Sequence, residues 1–185
     1  MIHEVLGVFK DHLNAYVKLK AGVREDMVEF LDGSDQNPIV LPLNKITPLI
    51  VNIQEDRVMR ENDYYLSKSR NGLAVEKNPE IRIRMIVLFV ARFKVYDQGL
   101  RFLSLIIHFF QANRLITRDI APELPVALDR VFVEILNLPV KEQNEIWNSL
   151  HTSYVPSVAF DVGMIRFADG DTIEDLSQIE EYQLN

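Results

Sequence analysis

Four histidines, His3, His12, His108 and His151, are the residues best suited to metal or acid–base chemistry in this sequence, and their spacing is wrong for both. His3 and His12 lie on one helical pattern but roughly 180° apart at 3.6 residues per turn, so they cannot share an ion within a single chain. His108 stands beside Phe109 on a largely apolar helix and reads as structural. Asp169, Asp171 and Asp175 faintly suggest a calcium loop. Ile173, however, takes the place of an oxygen ligand, and no glutamate closes the run. They read as part of a solvated acidic stretch. Neither a glycine-rich phosphate loop nor a Gly-x-Ser-x-Gly or His-Glu-x-x-His motif occurs. The absence of cysteine removes thiolate metal sites, redox pairs and cysteine nucleophiles together. No catalytic, cofactor-binding or metal-ligating residue is assigned, and the reading is non-enzymatic.

Charge offers one further kind of chemistry. Arg82, Arg84, Arg92 and Lys94 sit at the two ends of a strongly apolar run. They suit an anion site, surface solubilisation, or pairing with acids of a neighbouring subunit. The chain carries 20 Lys and Arg against 27 Asp and Glu, and six of the acids follow Phe167, where no Lys or Arg occurs. Residues 1–168 are therefore almost neutral and residues 169–185 form an acidic tail. A nucleic-acid binder is not expected from that balance. The tail is either a solubilising device or an electrostatic contact.

The elements that must position these groups are legible from periodicity. Ile2, Val5, Leu6, Phe9, Leu13, Tyr16 and Val17 form one apolar stripe of a helix, with Gly22 as its stop. Charges inside residues 1–20 exclude a signal peptide, and the longest apolar run, residues 85–91, falls far short of the ~20 residues of a membrane helix. Short strands are expected over residues 27–31 and 49–53, with an irregular stretch around Pro38, Pro42 and Pro48. Residues 59–80 read as a long mobile loop or a projecting hairpin.

Residues 81–96 alternate apolar residues on one side, while the other side is apolar only in its middle. Such a strand belongs inside a sheet covered on both faces. Asp97 is the expected N-cap of the next helix. Its core stripe is Leu100, Leu103, Ile106, Ile107 and Phe110, with Phe102, Leu105 and Phe109 on the flank. A helix this apolar is either central in the monomer or covered by a partner. Strands over 115–118 and 130–136, a helix over 140–150 opened by Pro139, and a strand over 155–167 complete the order. The fold class is α+β: a mixed, largely antiparallel sheet flanked by helices, in one domain of residues 1–168.

Several stretches also form a recognisable pattern. They are residues 1–16, Ile50-Val51-Asn52-Ile53-Gln54-Glu55-Asp56-Arg57, Val87-Leu88-Phe89-Val90-Ala91-Arg92-Phe93, the run from Gly99 through Leu103-Ser104-Leu105 to Phe110-Gln111, and Asn137-Leu138-Pro139 with Glu142-Gln143-Asn144, Ile146-Trp147 and Tyr154-Val155-Pro156-Ser157-Val158. The sequence resembles the N-terminal domain of the tail-terminator, or cap, proteins of contractile injection systems, phage-tail-like particles of the antifeeding-prophage and virulence-cassette type. The resemblance implies a fold similar to long-tailed phage terminators and a structural role. It implies a homohexameric ring that closes the distal end of the inner tube and the sheath. The partners would be further copies, the tube protein and the sheath protein, with no cofactor, nucleic acid or membrane. Assembly would be cytoplasmic, in a particle that can be released. Some relatives carry a further C-terminal domain where this chain has its acidic tail. The alternative is an assembly factor or generic interaction module absent from the finished particle. The expected interface residues are Phe102, Leu105 and Phe109, as an exposed apolar patch, with Arg82, Arg84, Arg92 and Lys94.

Overall fold

Helix α1 (Ile2–Ala21) follows the first apolar stripe and buries Val5, Leu6, Phe9, Leu13 and Val17. It ends where expected. Gly22 adopts the left-handed conformation (φ 68°), and its N–H donates to the Lys18 carbonyl. Glycine takes up that conformation without the steric penalty a Cβ would bring. The computed structural model describes residues 1–33, 39–56, 66–68, 74–76, 81–126, 128 and 130–167.

The remaining elements are β1 (Lys45–Glu55), β2 (Leu66–Lys68), β3 (Ala74–Glu76), β4 (Ile81–Arg92), α2 (Tyr96–Ala112), β5 (Leu115–Thr117), β6 (Arg130–Ile135), α3 (Val140–Ser149) and β7 (Ser157–Phe167). Five strands form one sheet in the order β1-β4-β7-β6-β5, and every ladder in it is antiparallel. The one parallel contact among the described residues is an isolated bridge, Val28 with Ile46. The α+β class and the antiparallel sheet are as expected. Strands β2 and β3 pair as a separate hairpin, while most of residues 59–80, and with them the expected mobility, lie outside the described residues.

Strand β4 explains why its sequence is apolar on both sides. Met85, Val87, Phe89 and Ala91 enter the main core with α1 and α2. Leu88 and Val90 enter a second core with Leu41, Leu49, Ala159 and Trp147 of α3. Phe110 joins the elements of the main core. Its ring lies 5.3 Å from Phe9 of α1, 5.5 Å from Phe89 of β4 and 4.7 Å from Phe160 of β7.

Four expectations need correction. Strand β4 stops at Arg92 rather than running to residue 96, because the chain turns there into α2. Val95, not Asp97, holds the N-cap position of α2, and Asp97 falls in the first turn. Pro48 lies inside β1, which begins at Lys45. As an edge strand, β1 tolerates proline because the missing N–H can face away from the ladder. The strand expected over residues 27–31 is reduced to the single bridge at Val28.

That bridge is held by a residue whose role the sequence did not disclose. Asn14, in the middle of α1, is buried. Its Oδ1 accepts the N–H groups of Met27 and Val28, both at 2.8 Å, and its Nδ2 donates to the Val28 carbonyl at 2.9 Å. Ile46 then continues the pairing through Met27 and Glu29. The side chain of α1 thereby fixes the outer side of β1.

Candidate functional site

The flank of α2 is not the exposed patch the sequence suggests. Phe102 is 3% exposed and Phe109 8%, with Leu105 half-buried against the main core. Phe102 stacks on Phe93 with ring centres 5.0 Å apart, and Phe109 lies 5.4 Å from Tyr16 of α1. One apolar arc of α2 faces the sheet, and the other meets α1 and the turn after β4. The helix is central in the monomer, so these three residues serve the chain's own core. His108 is exposed on the remaining face, not structural, and His12 lies 3.6 Å from Glu123.

The four basic residues do not converge. Eight residues separate Arg84 from Arg92 along β4, which is about 26 Å at the rise of a strand. Arg84 is engaged within the molecule, with Nη2 3.6 Å from Asp56 and Nε 3.5 Å from Asp161. Burial pushes the Asp161 carboxyl above its ordinary range. Arg84 works against that shift, while the charges of Glu134 and Asp56 add to it. This group lines a concavity of about 220 Å³ with Arg82 and Phe132. At the other end of β4, Arg92 donates from Nη1 to the Leu41 carbonyl, and Lys94 is exposed. Among the described residues, no three His, Asp or Glu side chains are close enough to hold a metal ion.

That second end of the sheet carries the apolar surface that the sequence led us to seek on α2. Strand β1 begins there, β4 ends there, and α2 and β7 start there. The Asn44 N–H donates to the Arg92 carbonyl, the Lys94 N–H to Asn44 Oδ1, and the Ala91 N–H to the Pro156 carbonyl. These bonds gather the ends of four segments. Val40, Leu43, Val95, Tyr96, Leu100 and Tyr154 are all exposed around them, Tyr96 by 66% and Tyr154 by 59%. A concavity of about 420 Å³ opens between Tyr96 and Tyr154, with Arg92, Phe93, Gly99 and Pro156 in its walls. Gly99 is buried against Phe93, and a Cβ there would sit 3.4 Å from the Phe93 ring, at the edge of ordinary contact. Tyr154 is braced from beneath by buried Trp147, 5.6 Å away.

Tyrosine and arginine are the residue types that protein interfaces concentrate, because each joins a large apolar body to a polar tip. Tyr96 escaped the sequence reading because it was placed in the strand. Tyr154 drew attention only as part of the Tyr-Val-Pro-Ser-Val run. The acidic residues 169–185 lie outside the described residues.

Comparison with known proteins is consistent with this architecture. Residues 4–176 match the family described as the Pvc16 N-terminal domain. In fold, the chain is similar to the PVC sheath/tube terminator of an extracellular contractile injection system in its extended state. The TM-score is 0.60 at 14% identity, over 93% of this chain and 58% of that one. It is also similar to the anti-feeding prophage cap, a tube terminating cap, with a TM-score of 0.55 at 16% identity, over 89% of this chain and 55% of that one. The chain thus spans somewhat more than half the length of both. No curated protein matches the sequence. Because the family match runs through nearly every element from α1 to β7, the chain belongs to the Pvc16 N-terminal domain family.

Proposed function

We propose that this chain is a structural terminator, a non-enzymatic cap or cap adaptor that closes the distal end of the tube and sheath of a contractile injection system. The observation that carries this reading is the fold shared with a sheath/tube terminator over 93% of the chain. Family membership over residues 4–176 supports it independently. We take the working form to be a homohexameric ring that contacts the tube protein and the sheath protein. It assembles in the cytoplasm into a particle that can act outside the cell. Among the described residues, no helix is long and apolar enough to cross a membrane, which is compatible with such a particle component.

The test is deletion of the gene in a strain that makes the particles, followed by length measurement in negative-stain micrographs. Loss of the protein should turn a narrow length distribution into a broad one, with open-ended tubes, and expression from a plasmid should restore it. Unchanged length and closed ends would contradict the terminator role. A broad distribution from a protein absent from finished particles would favour the assembly factor.

A further inference from the structure

The apolar and basic end of the sheet has a chemically matched counterpart in the chain itself. Arg92 and Lys94 lie among the exposed Tyr96, Tyr154 and Leu43, with Asp97 as the nearby carboxylate of the first turn of α2. Residues 169–182 hold six acids and no base, with Ile173, Leu176, Ile179 and Tyr182 among them. A segment that is acidic and apolar together complements a surface that is basic and apolar together. Charge also favours this end of the molecule, because Arg84 at the other end is already engaged by Asp56 and Asp161.

Geometry bears on which copy receives the segment. The register pairs Phe167 with Ile81 and Ser157 with Val90, so β7 delivers the acidic segment at the end of the sheet opposite the patch. Ten residues of strand separate the two ends, about 33 Å at the rise of a β-strand. A segment that leaves at one end and fits the other makes a head-to-tail contact, the type that closes into a ring when its rotation permits.

We infer that the acidic segment after β7 of one copy docks in the Tyr96–Tyr154 concavity of the next copy, against Arg92 and Lys94. The inference rests on the proposed ring-forming role in taking the occupant to be a second copy. Carboxylates meet the two cations at the rim while Ile173 and Leu176 cover the exposed rings. Burial of those rings supplies the larger part of the contact, and the charges set its direction.

The chain has no cysteine, so introduced thiols report only their own positions. Two differently tagged full-length variants, Lys94→Cys and Glu174→Cys, are mixed and oxidised, with Tyr154→Cys as a second position on the rim. A disulfide between the two tags is expected. Its yield should fall severalfold when Asp171 and Asp175 of the tail-substituted copy are changed to Lys. Three results would overturn the inference. One is no disulfide between tags from either rim position. Another is a disulfide formed only within a single doubly substituted chain, independent of concentration, which would give the concavity to the chain's own segment. The third is cross-linking in particles of position 94 to a tube or sheath subunit in place of position 174. The mixing assay uses the purified chain alone, so its failure is separate from any failure to find the protein at particle ends.

Discussion

Asn14 sits in the apolar stripe of α1, and its amide closes three hydrogen bonds to Met27 and Val28. Nothing in the stripe's period marks it, because an asparagine at a core-facing position is explained only by the backbone that later packs against it. Asn14→Leu keeps the volume but strands two N–H groups and a carbonyl away from water. The expected loss of stability is about 3 kcal/mol, read from urea unfolding. Asp161 makes a prediction with the opposite sign. Its carboxyl is held above its ordinary range by burial, so the folded state binds the proton more tightly than the unfolded chain. That group therefore costs stability as pH rises from its unfolded value through its folded one, and the cost disappears below that window. Asp161→Asn should remove the cost. Relative to the natural chain, the variant should gain stability on going from acid to neutral pH, in denaturant melts taken at both ends. A constant difference between the two proteins would contradict this account of Asp161.

At the scale of elements, α2 separates folding from assembly. Phe102 is stacked on Phe93 inside the chain, so Phe102→Ala should lower monomer stability by about 3–4 kcal/mol, the usual cost of removing a buried ring. Tyr96 is exposed, and Tyr96→Ser should leave stability within about 0.5 kcal/mol while weakening self-association in sedimentation. If Phe102→Ala left stability intact, α2 would not be the central helix described here. The same helix shows what the sequence could and could not disclose. Apolar period located α1 and α2, alternation located β4, and Pro139 marked the start of α3, since α1, α2 and β4 bury regular faces while α3 buries only Trp147. Period cannot say whether a second apolar arc meets the chain's own α1 or another molecule, and Phe102, Leu105 and Phe109 were accordingly expected on the outside. Alternation also continued past Arg92 through Phe93 and Val95, so the end of β4 was placed too late. Pro48 read as a strand breaker because edge position is a property of the assembled sheet. The patch around Tyr96 and Tyr154 was hidden for a related reason. Its parts lie in three separate stretches of sequence and meet only when strand ends are gathered at one end of the sheet.

The whole molecule is a sheet with two chemically different ends, one apolar and basic, the other releasing an acidic segment. The inferred contact between copies joins one of these ends to the other. Because part of that contact is electrostatic and lies at an exposed rim, self-association of the natural chain should weaken between 0.1 M and 1 M salt, where the Debye length falls from ~10 Å to ~3 Å. The remainder, carried by apolar burial, should persist. Sedimentation across that range tests the division, and complete salt independence would contradict the charged share. The terminator role itself is tested most directly by a cryo-EM reconstruction of the distal end of particles that contain this protein. The account predicts a single ring of this α+β fold seated on the last tube and sheath layer, with no tube density beyond it. A terminal ring built wholly from other proteins, with this chain absent from the particle, would contradict it.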